Sequence, residues 1–280
     1  MDTVSFVING KTHEFSIKGA PPFKYGKHER LSDRANDIAY YQDWYQEGYK
    51  AVPFLEADDF RKLREGLAKC IQTLIRTQLG IDVTDFDLTK YHHVVRTNED
   101  HFKIISKTRD LFPGDFNFPI KDIFPKFEKI LGFKLTDVDP FNEKQGHIIV
   151  RVHRPGSNDY NPPHKDIYEG VDQDSYIPLF INLWIPISGV TENSSLPMVP
   201  SSHLLTEDQI LRTVEGGVLG GNRYRVRMVR EWGGSNRLIR SEVNEGEVLL
   251  FTSHLIHGLG VNEEADTTRV ALEFRLFKAE

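Results

Sequence analysis

The stretch GEVLLFTSHLIHGLGVNEEADTTRVALEFRLF, residues 246–277, holds two apolar, β-rich runs on either side of a turn-rich connection. Residues 247–252 and 268–277 read as strands, and Gly258, Gly260 and Asn262 punctuate the chain between them. The same texture extends back to Gly146, with further strands expected at 147–153, 180–187, 196–200, 223–232 and 237–243. Six or seven short strands that close a chain in this way predict a sandwich or jelly roll.

Upstream the pattern turns helical. Phe60, Leu63, Leu67, Ile71, Leu74 and Ile75 recur at helical spacing within 56–80, and Gly80 supplies a stop. Residues 32–48 predict a second helix, with Ser32 as N-cap, Gly48 as stop and a core stripe of Tyr40, Tyr41, Trp44 and Tyr45. The span 85–110 is mixed and helical in part. Residues 118–132 read as a short helix, started near Pro119 and interrupted at Pro125. At the N-terminus, alternating residues flank Asn9-Gly10, which predicts a β-hairpin followed by a connector at 19–26. The expected class is α+β with a mainly β core, in which helices from the first half pack on the outside of the jelly roll. One domain over 1–280 is expected: hairpin and connector at 1–30, helical support at 31–145 and the jelly-roll core at 146–280.

Composition narrows the function classes. With 39% hydrophobic residues the chain can bury a sizeable core, which excludes a disordered, collagenous or coiled-coil protein. Lys and Arg number 35 against 41 Asp and Glu, and a net charge of -6 argues against bulk binding to nucleic acid or an anionic membrane. Cys70 is the single cysteine, so an internal disulfide and a thiolate metal site are both excluded, and it reads as a packing residue. The most apolar window, 178–187, falls far short of the ~20 residues a membrane helix needs. The N-terminus, MDTVSFVING, carries no basic region before a long apolar stretch. A cytoplasmic protein is the expectation.

Three places carry chemistry. His164-Lys165-Asp166 follows Pro162-Pro163, which holds the segment extended, so the side chains at 164 and 166 point to one side. His257 follows the apolar strand at 247–252. Two histidines and one carboxylate on one face of a metal form the facial triad of non-heme Fe(II) oxygenases, with positions left open opposite. Arg269, on the next strand, offers a rigid fork to a carboxylate, and an inward arginine beside a metal suggests an anionic co-substrate. Arg275 has the same strand parity and is its rival.

The segments PPHKD, FINLWIPISGVTENSSLPMVPSSH, GEVLLFTSHLIHGLGVN and TTRVALEFRLF together resemble the phytanoyl-CoA dioxygenase-like family of Fe(II)/2-oxoglutarate-dependent oxygenases. The resemblance runs over roughly residues 45–277, and EGYKAVPFLEADDFRKLREGL is similar to the family's opening helix. Asn193-Ser194 and Ser201 stand where the family usually has Asn-Gly and Gly. The resemblance implies a double-stranded β-helix, Fe(II) held by His164, Asp166 and His257, and 2-oxoglutarate on the metal with its distal carboxylate on Arg269. It implies O₂ as oxidant, decarboxylation to succinate, and hydroxylation of a small-molecule substrate as the usual outcome. A carboxylate at 166 favours hydroxylation over halogenation.

His254 lies three residues from His257, but the family's spacing to the arginine and the His257-Gly258…Asn262 run favour His257. His254 then reads as supporting or structural, and His203 as lining the site or structural. Asn182 and Trp184 alternate with apolar residues and could face the cavity near 2-oxoglutarate. Arg151 and His153 read either as pocket residues or as a solvent-facing pair, and His92-His93 as surface residues. Arg223, Arg225 and Arg227 are expected on one strand face, where they either attract an anionic substrate or form a solvated surface. Residues 153–163 and 204–240 are the expected substrate-facing loops. Two alternatives stay open: a cupin-like metal-dependent hydrolase or isomerase, which would leave Arg269 without a role, and a non-catalytic jelly-roll binding protein.

Overall fold

Asn9 and Gly10, at φ +48° and +84°, turn the chain between β1 (Asp2–Ile8) and β2 (Lys11–Ile17), the conformation for which this dipeptide is suited. The structure is a computed structural model that describes residues 2–18, 22–157, 160–172 and 176–279. Residues 19–21 of the expected connector, and 158 and 159 of the first substrate-facing loop, lie outside the described residues. After β3 (Phe23–Tyr25) and β4 (Tyr49–Pro53) come α1 (Ala57–Leu79), α2 (Tyr91–Val94), α3 (Asn98–Thr108) and α4 (Phe124–Leu131). The remainder, apart from the short α5 (Tyr168–Asp172), is β. It comprises β5 (Leu135–Thr136), β6 (Ile149–His153), β7 (Phe180–Ser188), β8 (Pro197–Met198), β9 (Ile210–Thr213), β10 (Val218–Leu219), β11 (Asn222–Arg223), β12 (Val229–Trp232), β13 (Arg237–Arg240), β14 (Glu247–Thr252) and β15 (Arg269–Lys278).

The curled sheets make a jelly roll. One sheet runs β4-β14-β7-β15-β5, with β6 sharing an edge of β15 with β5. A second runs β11-β10-β2-β1-β13-β8, and β12-β9-β3 form a third. Strand parity divides the first sheet. On β15, Val270, Leu272, Phe274 and Leu276 join the core shared with Leu67, Ile71 and Ile75 of α1, so the helical half covers the outer face as expected. Arg269, Ala271, Glu273 and Arg275 therefore point the other way, into the barrel. The N-terminal hairpin is part of the barrel wall: β1 pairs with β13 in parallel, and Val4, Phe6 and Ile8 pack with Ile210, Trp232 and Leu238.

Four expectations need correction. Residues 32–48 form successive turns and no α-helix. Asp33 Oδ1 accepts the main-chain N–H groups of Ala35 and Asn36, and Asp37 Oδ1 that of Ala39, so the aspartates compete with the helical ladder. In 118–132, Pro125 sits in the first turn of α4, where its missing N–H costs nothing, and so does not interrupt it. The strand expected at 196–200 shortens to β8, whose pairing with β13 takes only Pro197 and Met198, and Ser201 beyond it turns the chain at a left-handed φ of +59°. The run 223–232 divides into β11 and β12. Arg223, Arg225 and Arg227 thus share no strand face, which removes the basis for an anionic-substrate patch there. Among the described residues, no helix is long and apolar enough to cross a membrane.

His203 gives the fold a pH dependence. It is buried edge-on against Tyr45, and burial pushes its imidazole down to about 4 from an ordinary 6.5. The unfolded chain then binds the extra proton between these values. Stability is full above about pH 6.5 and falls as pH drops towards 4, by at most ~3 kcal/mol from this group. Melting temperature followed from pH 7 to 4.5 should decline, and His203→Phe should flatten part of that slope. An unchanged slope in the variant would assign the acid sensitivity to other groups.

Candidate active site

Pro162 and Pro163 deliver an extended segment across the barrel interior. His164 N–H donates to the His257 carbonyl (2.9 Å) and His257 N–H to the His164 carbonyl (3.1 Å). This two-way bridge sets the imidazoles side by side, with ring centroids 4.5 Å apart. Gly258 makes the approach possible: at φ +140°, a Cβ there would lie 2.4 Å from the Pro162 carbonyl oxygen. Asp166 N–H donates to the Ser253 carbonyl, so one short ladder fixes all three residues.

Main-chain carbonyls orient the rings. Nδ1 of His164 donates to Pro162 O (2.7 Å) and Nδ1 of His257 to Leu255 O (3.0 Å), leaving both Nε2 lone pairs free to ligate. His164 Nε2 lies 3.5 Å from Asp166 Oδ1, and His257 Nε2 lies 3.7 Å from Asp166 Oδ2. Two metal–ligand bonds of about 2.1 Å meeting at an open angle span such gaps. The Asp166 carboxylate is itself held at both oxygens, by Arg275 Nη2 (2.8 Å) and Asn182 Nδ2 (2.8 Å). Burial works against ionisation of Asp166, yet Arg275, His257 and His164 together hold its carboxyl well below the usual carboxylate range. Burial pushes His257 down to about 4. An ionised Asp166 and a neutral His257 at neutral pH are the states in which these groups ligate a divalent cation. The donor set, its spacing and its charge fit Fe(II).

Arg269 lines the same cleft as His164 and His257. Its Nη1 donates to the Ser194 carbonyl (2.9 Å) and its Nη2 to His153 Nδ1 (2.7 Å), with the guanidinium carbon 5.8 Å from the Trp184 ring centre. Bare backbone at Gly260 leaves room, since a Cβ there would come within 3.1 Å of the guanidinium. Ser194 replaces a glycine of the family pattern. Its hydroxyl closes the local turn, accepting from Thr191 N–H and donating to Gly189 O.

The structure therefore brings His164, Asp166 and His257 together and sets Arg269 and Trp184 in the adjoining cleft. Arg275 faces inward, as its parity predicts, but its guanidinium is on Asp166. Asn182 is likewise on Asp166. His254 points away, with Nε2 2.7 Å from the Asn36 carbonyl. Arg151 and His153 face inward: Arg151 donates to Glu273 from Nε (2.9 Å), and the facing arginines Arg151 and Arg275 hold Glu273 at about 2 despite its burial. Sequence reading passed over Glu273, although its parity with Arg269 and Arg275 marks it. It also passed over Lys165, which points opposite to the ligands and forms a buried ion pair with Glu207 (2.8 Å). Glu207 is far away in sequence, and no local pattern joins the two.

The family model for phytanoyl-CoA dioxygenase (PhyH) matches residues 44–270. The chain belongs to the phytanoyl-CoA dioxygenase family. Membership brings Fe(II), 2-oxoglutarate and O₂ as the cofactors of a non-heme oxygenase. None of the curated proteins compared matches the chain. Among solved structures, AviO1 from Streptomyces viridochromogenes Tue57 is similar at 15% identity and a TM-score of 0.48, covering 88% of this chain and 95% of its own. EctD from S. alaskensis, solved with 2-oxoglutarate and 5-hydroxyectoine, is similar at 11% identity and a TM-score of 0.49, covering 94% and 86%. SnoN, a non-heme alpha-ketoglutarate-dependent epimerase from nogalamycin biosynthesis, is similar at 14% identity and a TM-score of 0.41, covering 84% and 80%. These likenesses are remote; the family match assigns the chain.

Proposed function

We propose that the chain works as one oxygenase domain that hydroxylates a small molecule, with His164, Asp166 and His257 holding Fe(II) and Arg269 anchoring the distal carboxylate of 2-oxoglutarate. The observation that carries this reading is the convergence of the three ligand atoms within 4.8 Å of one another, in a cleft that Arg269 also lines. Bound iron and 2-oxoglutarate would supply the oxidising power, coupled to decarboxylation to succinate. The chain's residues supply placement. The His164–His257 bridge fixes two ligands. Arg275 keeps Asp166 ionised, Arg275 and Asn182 keep it pointed at the centre, and Ser194 O and His153 hold the Arg269 fork in one orientation. Trp184 and Phe251 wall the cleft and limit water.

Turnover without a substrate tests this reading. Oxygenases of this type consume 2-oxoglutarate slowly when no substrate is present, so succinate should form from 2-oxoglutarate in an Fe(II)- and O₂-dependent way. His257→Ala should abolish it and His254→Ala should retain it. Loss in His254→Ala with retention in His257→Ala would move the ligand assignment. Once a substrate is in hand, incorporation of ¹⁸O from ¹⁸O₂ into the product supports hydroxylation, and a product without label points to desaturation, epimerisation or ring closure.

A further inference from the structure

A second cluster of two histidines and a carboxylate lies outside the barrel. His92 and His93 belong to α2, and Asp266 to the turn that leads into β15. His92 Nε2 is 2.8 Å and His93 Nε2 is 2.7 Å from the same oxygen, Asp266 Oδ1, so both rings converge on one point from adjacent positions in the chain. The rings stand nearly perpendicular, with centroids 4.4 Å apart. Lys90 occupies only the other carboxylate oxygen, Oδ2, together with the Asp266 main-chain carbonyl.

Two features separate this cluster from an ordinary surface ion pair. His92 is largely covered, and its far nitrogen, Nδ1, lies 2.8 Å from Thr268 Oγ1. Metal-ligating histidines almost always carry such an outer hydrogen bond, which fixes ring orientation and leaves Nε2 for the ion. The backbone beneath is also tied down. Thr268 N–H donates to Thr89 O, and Asp87 accepts from both the N–H and the hydroxyl of Thr89. The donors are thus held on two pinned segments.

We propose that His92 Nε2, His93 Nε2 and Asp266 Oδ1 form a second, surface divalent-metal site. Two imidazoles and one carboxylate oxygen select zinc-class ions (Zn(II), Ni(II), Cu(II)) over Mg(II) or Ca(II), which require oxygen-rich shells. With Oδ2 held by Lys90, Asp266 ligates through one oxygen, and water completes the shell. A bound ion takes the place of the two Nε2–H contacts and ties α2 to the turn before β15. Each imidazole is then neutral and protonated at Nδ1, which at His92 donates to Thr268 Oγ1, and any second ring proton is released to water. This site is independent of the one proposed for catalysis, and its donors are the same in kind, so both sites take up metal when the protein is loaded.

The test is a Zn(II) titration of the metal-stripped full-length protein against a chromophoric chelator, read as equivalents bound. Wild type is expected to bind two equivalents. His92→Ala/His93→Ala is expected to bind one, and Asp166→Ala to keep the outer one. Asp266→Asn preserves size but removes the charge and turns one accepting oxygen into a donating NH2, and should weaken the outer equivalent by at least ~10-fold. Melting temperatures without zinc should match wild type for the surface variants, which separates loss of a ligand from loss of fold. Equal stoichiometry and affinity in wild type and the double-histidine variant would overturn the proposal. A wild-type stoichiometry of one, lost in Asp166→Ala, would also overturn it and leave the cluster as an ion pair only. Retention of the outer equivalent with no Asp166-dependent one would instead count against the catalytic site.

Discussion

Asp166→Ala loses Fe(II) binding and turnover together. The side chain supplies the only carboxylate among the three converging ligands; Arg275 and the two histidines keep it ionised, and Arg275 and Asn182, at 2.8 Å each, hold it in place. Removing it takes away one bond to the cation. It also leaves the Arg275 charge beside the metal position no longer balanced by Asp166, so a cation is drawn in less strongly. Mutating a partner that merely orients a ligand costs roughly 10–100-fold in affinity or activity. Loss of the ligand itself should exceed that range. Iron content after anaerobic loading and gel filtration measures it. The fold should survive, because the His164–His257 bridge and the Asp166 N–H bond to Ser253 are main-chain contacts. Iron retention at wild-type affinity would remove Asp166 from the ligand set.

Arg269→Ala leaves Fe(II) bound and weakens 2-oxoglutarate. Truncating one member of a buried, hydrogen-bonded charge pair costs about 2–4 kcal/mol, which corresponds to ~30- to 1000-fold in Kd. Arg275→Ala separates the two arginines. In this account it weakens iron through Asp166 and changes 2-oxoglutarate affinity only as far as iron is lost. Titration of 2-oxoglutarate into each iron-loaded variant distinguishes them. An unchanged Kd in Arg269→Ala, with a large increase in Arg275→Ala, would exchange their roles.

The parts legible in sequence are those fixed by local chemistry. Asn9-Gly10 carries its own turn, the apolar periodicity of 56–80 carries α1, and the parity of 269 and 275 carries which side of β15 faces inward. The common side of His164 and Asp166 was legible because a strand's alternation is short-range, whereas their partner His257, far along the chain, was legible through the family resemblance and its spacing to Arg269. What sequence hid is long-range or competitive. The turns at 32–48 arise because Asp33 and Asp37 bind backbone N–H groups that a helix would use, and helix-like spacing does not report that competition. The arginine-rich run 223–232 breaks because separate strands claim its two ends, β10 at Arg223 and distant β9 from Val229 onward. The convergence of His92 and His93 with Asp266 joins residues more than 170 positions apart, and neither histidine on its own signals it.

Anaerobic addition of 2-oxoglutarate to the Fe(II)-loaded protein tests the central claim most directly. The account predicts a visible metal-to-ligand charge-transfer band that saturates with 2-oxoglutarate, is absent in Asp166→Ala, and needs far more 2-oxoglutarate in Arg269→Ala. Iron bound without such a band, or a band of full intensity in Asp166→Ala, would contradict it.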